Sequence, residues 1–132
     1  MASEISQLIN EVRQFSEDRD WDQFHNPKDL AIALSIEASE LLEVFLWKSP
    51  EDAKKDKIKE ELADVINYAL LIAGKCGLDV AEIVRDKMRQ NAAKYPVEKA
   101  KGVATKYDCK LPTKFEQNCQ RKLISSRPVT KV

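Results

Sequence analysis

Only three of the 132 residues are glycine, at positions 74, 77 and 102, and that scarcity constrains the fold more than any other feature. Hairpin-rich β folds reverse direction through turns that need positive φ, which glycine supplies most cheaply. Neither a glycine-rich phosphate loop nor a dinucleotide-binding turn can be built from Gly74, Gly77 and Gly102. An all-α chain is therefore expected, organised as a four-helix bundle-like protomer. With 43% apolar and 33% charged residues, the composition is globular rather than disordered, and its length suits one domain.

Four helical segments can be read from the chain. The first runs from about Ser3 to Glu17, with Ile5, Leu8, Ile9, Val12 and Phe15 on one stripe at helical spacing. The stretch from Arg19 to His25 breaks the pattern. Asn26 followed by Pro27 is a capping side chain and then a proline at the first helical position, which opens a second segment through Trp47. Ser49, Pro50, Glu51 and Asp52 repeat that start signal and lead into a third segment, ending near Cys76 with Gly77 beyond it. Asp79 and Glu82 have capping-box spacing, so a fourth segment extends from Val80 to about Tyr95, where Pro96 stops it.

The balanced net charge conceals an asymmetry. Residues 109–132 hold six basic residues and one acid, while residues 1–108 are net acidic. The expected organisation is one domain over residues 1–108 and a mobile basic tail over 109–132. Six dispersed charges without interleaved aromatics are a weak nucleic-acid signal, so nucleic acid is not expected as a partner. The longest apolar stretch, Ala69 to Ala73, is far below the roughly 20 residues of a membrane span, and the first residues do not pair a basic segment with an apolar run. A cytoplasmic protein without membrane contact is the expectation. Cys76, Cys109 and Cys119 lack zinc or redox spacing and are read as reduced thiols.

Acidic residues interrupt two apolar stripes. On a helical projection, Leu30, Ala33, Leu34, Leu41 and Val44 fall within about 60° of Glu37, and Glu40 shares that stripe. Glu61 is flanked in the same way by Ile58, Val65, Tyr68 and Ile72, with Asp64 one turn on. Carboxylates in apolar surroundings repel one another and need compensating cations. An all-carboxylate site is hard-oxygen chemistry, suited to Mg2+ or Mn2+. Iron is disfavoured because the sole histidine, His25, lies in a loop. The competing reading is a set of surface or inter-subunit salt bridges in a non-catalytic helical oligomerisation module. Glu43 and Glu60 lie off the stripes and read as solvated. Ile36, Leu42 and Leu46 make the second segment apolar nearly all round, which implies a homo-oligomer.

These residues resemble the MazG-like nucleotide pyrophosphohydrolases, all-α enzymes of the nucleoside triphosphate pyrophosphatase group. Glu37 and Glu40, then Glu61 and Asp64, look like that group's metal motif. The run from Arg19 through Trp21, His25 and Asn26 to Pro27 is similar to the dCTP pyrophosphatase branch. Phe45 to Lys48, Tyr68, Lys87 to Asn91, and Lys94 to Pro96 continue the likeness, which covers roughly Ile5 to Asp108. Ile36 and Ser39 stand where relatives often carry glycine, and Val12 where they can place a polar substrate contact.

The resemblance implies Mg2+-dependent hydrolysis of nucleoside triphosphates, with dCTP or related deoxynucleotides favoured, to a monophosphate and pyrophosphate. It implies Glu37, Glu40, Glu61 and Asp64 as metal ligands, with Glu37 or Glu40 also orienting or deprotonating the water. Trp21 and Trp47 look like walls of a base pocket, although each could equally be a core tryptophan. His25 is implied as a base or sugar contact, and Tyr68 as a ring packed under deoxyribose. Lys87, Asn91 and Lys94 form one polar stripe that is either a phosphate contact or a solvated face, with Tyr95 beside it. In the resembling family, dimers pair into tetramers and neighbouring chains complete each pocket.

Overall fold

The computed structural model describes residues 3–104 and 106. Helices and short 3-10 turns form all of the regular structure among them: α1 (Glu4–Glu17), a turn at Asp22–Phe24, α2 (Pro27–Glu43), a turn at Pro50–Asp52, α3 (Lys55–Lys75), α4 (Val80–Lys94) and α5 (Val97–Ala100). The all-α expectation holds. The chain divides into two compact units after Val84. The basic tail lies outside the described residues.

Local chemistry sets most helix ends. Ser3 caps α1 by accepting a hydrogen bond from the Ser6 amide at 3.2 Å. Asn26 Oδ1 accepts from the Asp29 amide at 2.9 Å, with Pro27 following as the first helical residue of α2. Asp79 Oδ1 accepts from the Glu82 amide at 2.9 Å and opens α4. At the end of α3, Gly77 has φ of 63°. Its amide donates to the Gly74 carbonyl, and that of Leu78 donates to Ala73 at 2.9 Å. These paired bonds form a Schellman termination, which requires the left-handed conformation that glycine adopts without strain.

Two readings are corrected. The second segment does not reach Trp47: α2 ends at Glu43. Phe45 and Leu46 amides there donate to Leu42 and Glu43, three residues back, tightening the chain out of α geometry. Trp47 itself takes a left-handed φ of 61°. The Ser49-Pro50 start signal opens a three-residue 3-10 turn rather than α3, which begins at Lys55. Pro96 stops α4 as expected but also caps the short α5.

In the first unit, α1 and α2 both pack on α3. The core holds Leu30, 1% exposed, with Leu70, Leu71 and Ala73. Gly74 lets α1 come close, since a Cβ there would meet Ile9 Cγ2 at 3.1 Å. Ile32, Ile36, Leu42 and Leu62 remain exposed on α2 and α3. The second unit contains α4 beyond Val84 and α5.

Candidate active site

The packing of α2 on α3 brings together three of the acids read from the stripes. Glu37, Glu61 and Asp64 each present a carboxylate oxygen within 4.8 Å of the others. Glu37 and Glu61 are half-buried and Asp64 is exposed. Glu40, one turn beyond Glu37, stands outside this trio and is exposed. Partial burial first, then the charges of Glu40, Asp64 and Glu61, push the Glu37 carboxyl above its ordinary pKa of 4.5. The ion pairs of the described residues include none of these four acids, so the salt-bridge reading finds no support among the described residues. Glu60, read as solvated, pairs with Lys57 at 2.5 Å.

Uncompensated negative charge from three convergent oxygens is the arrangement that a hard divalent cation satisfies. The residues present fit such an ion. Glu37, Glu61 and Asp64 would hold it, with Glu40 near enough to add its field.

A cavity of about 180 Å³ adjoins the trio and shares Asp64 with it. Trp21, His25 and Tyr68, all proposed from sequence, line this cavity. The loop after α1 delivers the first two. The amides of Arg19 and Trp21 both donate to the Ser16 carbonyl, and Asp20 adopts a left-handed φ of 56°, turning the chain back over α1. The Trp21 ring then meets Phe15 edge-on, centroids 6.0 Å apart at 71°, and the Arg19 guanidinium lies 3.6 Å from the Phe15 centroid. Edge-on aromatic contact and a cation over a ring face fix both planes. His25 is half-buried, and its Nδ1 is shielded from solvent with no hydrogen-bond partner among the described residues.

Sequence reasoning did not assign Phe15, Ser16, Asn67 and Leu71 to this cavity, yet all four line it, as does Val12. The available signal was register: Asp64, Asn67, Tyr68 and Leu71 fall on one helical face. Trp47 is not among the lining residues. Its ring is 86% exposed in the turn after α2. Lys87, Asn91 and Lys94 are exposed on α4 in the second unit, and the Tyr95 amide donates to the Asn91 carbonyl at 2.8 Å.

Comparison with known proteins agrees with this geometry. Residues 32–108 match the MazG-like family. A dCTP pyrophosphatase 1 from Mus musculus is 38% identical over 102 residues, covering 71% of this chain and 60% of that protein. The Homo sapiens protein of the same name is 35% identical over 102 residues. The chain spans 60% of the length of these curated relatives. The crystal structure of a pyrophosphatase from Archaeoglobus fulgidus aligns with a TM-score of 0.67 at 35% identity, over 73% of this chain and 95% of that one.

Proposed function

Since the chain belongs to the MazG-like family, we propose that it hydrolyses deoxynucleoside triphosphates, dCTP or a related nucleotide foremost, to the monophosphate and pyrophosphate. Its role would be control of the nucleotide pool. The observation that carries this reading is the sharing of Asp64 between an acid trio and an aromatic-walled cavity. A triphosphate held at the acids has its sugar and base beside it in that cavity.

When bound, Mg2+ supplies positive charge for the phosphate oxygens and acidifies the attacking water. The chain's own residues orient the reactants. Glu37 would accept the proton of the water, with Glu40 as the neighbouring alternative. The water oxygen bonds to phosphorus, the bridge between the α and β phosphates breaks, and pyrophosphate leaves with the electron pair. Trp21 offers a stacking face, and such contacts contribute roughly 1–3 kcal/mol per base. Tyr68 packs against the sugar. Lys87, Asn91 and Lys94, with Tyr95, would contribute phosphate contacts.

The protein would act as a homo-oligomer, a dimer of dimers. The exposed Ile32, Ile36 and Leu42 support this reading, because so much apolar surface on one protomer is costly to leave in water. Trp47 would then complete the pocket of a neighbouring protomer.

The test is product identification with a panel of nucleoside triphosphates, with Mg2+ and with excess chelator, for the native chain and Asp64→Ala. Pyrophosphate and monophosphate should appear only with the metal, and Asp64→Ala should lose on the order of 10³-fold in turnover, as when a principal charge stabiliser is removed. Full turnover in chelator or in the variant overturns the proposal.

A further inference from the structure

The cavity beside Asp64 has more apolar wall than polar lining, so the polar atoms that remain unspent decide what it can recognise. Val12, Phe15 and Leu71 offer no hydrogen bond. The Ser16 hydroxyl donates to the Val12 carbonyl at 3.3 Å, which uses its only proton. The Asp64 carboxylate belongs to the acid trio. That leaves the Trp21 indole N–H, the Tyr68 hydroxyl, His25 and Asn67, of which the Asn67 carboxamide alone sets an N–H donor and a carbonyl acceptor side by side. No hydrogen bond of the Asn67 carboxamide is found among the described residues, and the shielded Nδ1 of His25 has no partner.

We propose that Asn67 is the specificity-determining residue of this site, reading the hydrogen-bonding edge of a pyrimidine ring. This assignment rests on the reading of the chain as a nucleoside triphosphate pyrophosphohydrolase. Asn67 follows Asp64 by three residues on the same face of α3, about 4.5 Å further along the axis. A nucleotide with its phosphates at Asp64 therefore reaches Asn67 with the parts of the molecule that follow them.

The carboxamide carries one acceptor and one donor group in a single plane. The cytosine edge presents an acceptor at N3 and a donor at the 4-amino group, so one amide orientation meets both. Thymine and uracil present the reverse pair and are met by the flipped amide. Nothing among the described residues holds the carboxamide in either orientation, so the pocket serves pyrimidines as a class. His25, with its proton on Nδ1, can donate to the 2-carbonyl that all three bases share.

The test uses the full chain with Mg2+ and compares dCTP and its 4-desamino analogue in the native protein and in Asn67→Leu. The native protein should prefer dCTP to the desamino analogue several-fold in kcat/KM, the worth of about one net hydrogen bond. In Asn67→Leu that preference should collapse toward unity, through KM for dCTP rather than kcat. An undiminished dCTP preference in the variant, or a native protein that treats dCTP and its analogue alike, overturns the role of Asn67. Absence of pyrophosphate release from every nucleotide is the separate failure of the pyrophosphohydrolase reading, and the Asn67 assignment falls with it. Asn67 is exposed, so Asn67→Leu leaves the core of the protomer untouched, and a thermal melt of the variant checks its fold.

Discussion

The Lys75 ammonium stands 2.5 Å from Asp22 Oδ1 and so joins the end of α3 to the 3-10 turn between Trp21 and His25. Trp21 and His25, which flank that turn, line the candidate-site cavity together with Asp64, Asn67 and Tyr68 of α3. The ion pair therefore fixes the spacing of two sets of lining residues that no backbone hydrogen bond connects among the described residues.

Breaking that pair should cost function more than stability. Partly exposed ion pairs contribute about 0–1 kcal/mol, so Lys75→Met, which retains the apolar stem, should lower the melting temperature by at most about 8 °C. The KM for the preferred nucleotide should rise several-fold as Trp21 and His25 lose their register. Steady-state kinetics and a thermal melt on one preparation distinguish the cases. An unchanged KM means the turn is held by its own packing.

The raised pKa of Glu37 makes stability depend on pH. In the metal-free protein the folded state retains a proton at Glu37 that the unfolded chain releases near 4.5. Folding therefore becomes less favourable as pH rises from 4.5 toward the raised value, and above that value the whole penalty is present. Urea midpoints should fall across this window, and Glu37→Gln should flatten the decline. Saturating Mg2+ should reverse it, because cation binding favours the ionised carboxylates. Identical pH profiles for the native protein and Glu37→Gln would mean that Glu37 experiences no such repulsion.

These acids also show what could be read from the chain. Glu37, Glu61 and Asp64 were legible because a carboxylate inside an apolar stripe contradicts its surroundings, and that contradiction survives in any tertiary arrangement. Glu40 satisfied the same pattern but stands outside the trio, since the cluster forms across two helices and helical register alone does not measure that gap. Asn26, Pro27, Gly77 and Asp79 marked helix ends correctly because cap chemistry is local. The end of α2 had no such mark. Apolar residues continue to Trp47, and neither proline nor glycine interrupts them. Asn67 shares a helical face with Asp64 and Tyr68 and could have been read from register, whereas Phe15 and Ser16 became pocket residues only when α1 packed on α3, an event with no signature in α1 alone.

Trp47 combines a left-handed backbone with an 86% exposed ring. A bulky residue at positive φ costs on the order of 1 kcal/mol that glycine avoids. Trp47→Gly should therefore leave the protomer at least as stable while raising KM for the nucleotide, because strain retained at an exposed aromatic is consistent with use of the ring. The measurement is a denaturant titration beside KM for dCTP and for inorganic triphosphate. Equal KM changes for both substrates, together with reduced stability, would assign the ring to packing.

Tyr68 lies half-buried one turn beyond Asp64 and lines the same cavity. A sugar attached to a triphosphate at Asp64 passes beside this ring, which can pack on C2′ and crowd a hydroxyl there. Apolar contacts reject an added hydroxyl only weakly, by a factor on the order of 10–100, so a deoxynucleotide preference is expected rather than exclusion. Tyr68→Ala should narrow the deoxy-to-ribo ratio of kcat/KM chiefly by raising the ribonucleotide value. Tyr68→Phe keeps the ring and should keep the ratio, which separates steric selection from any hydrogen bond made by the phenol. A ratio unchanged in folded, active Tyr68→Ala moves sugar selection to His25, where the same pair of substrates can be tried against His25→Ala.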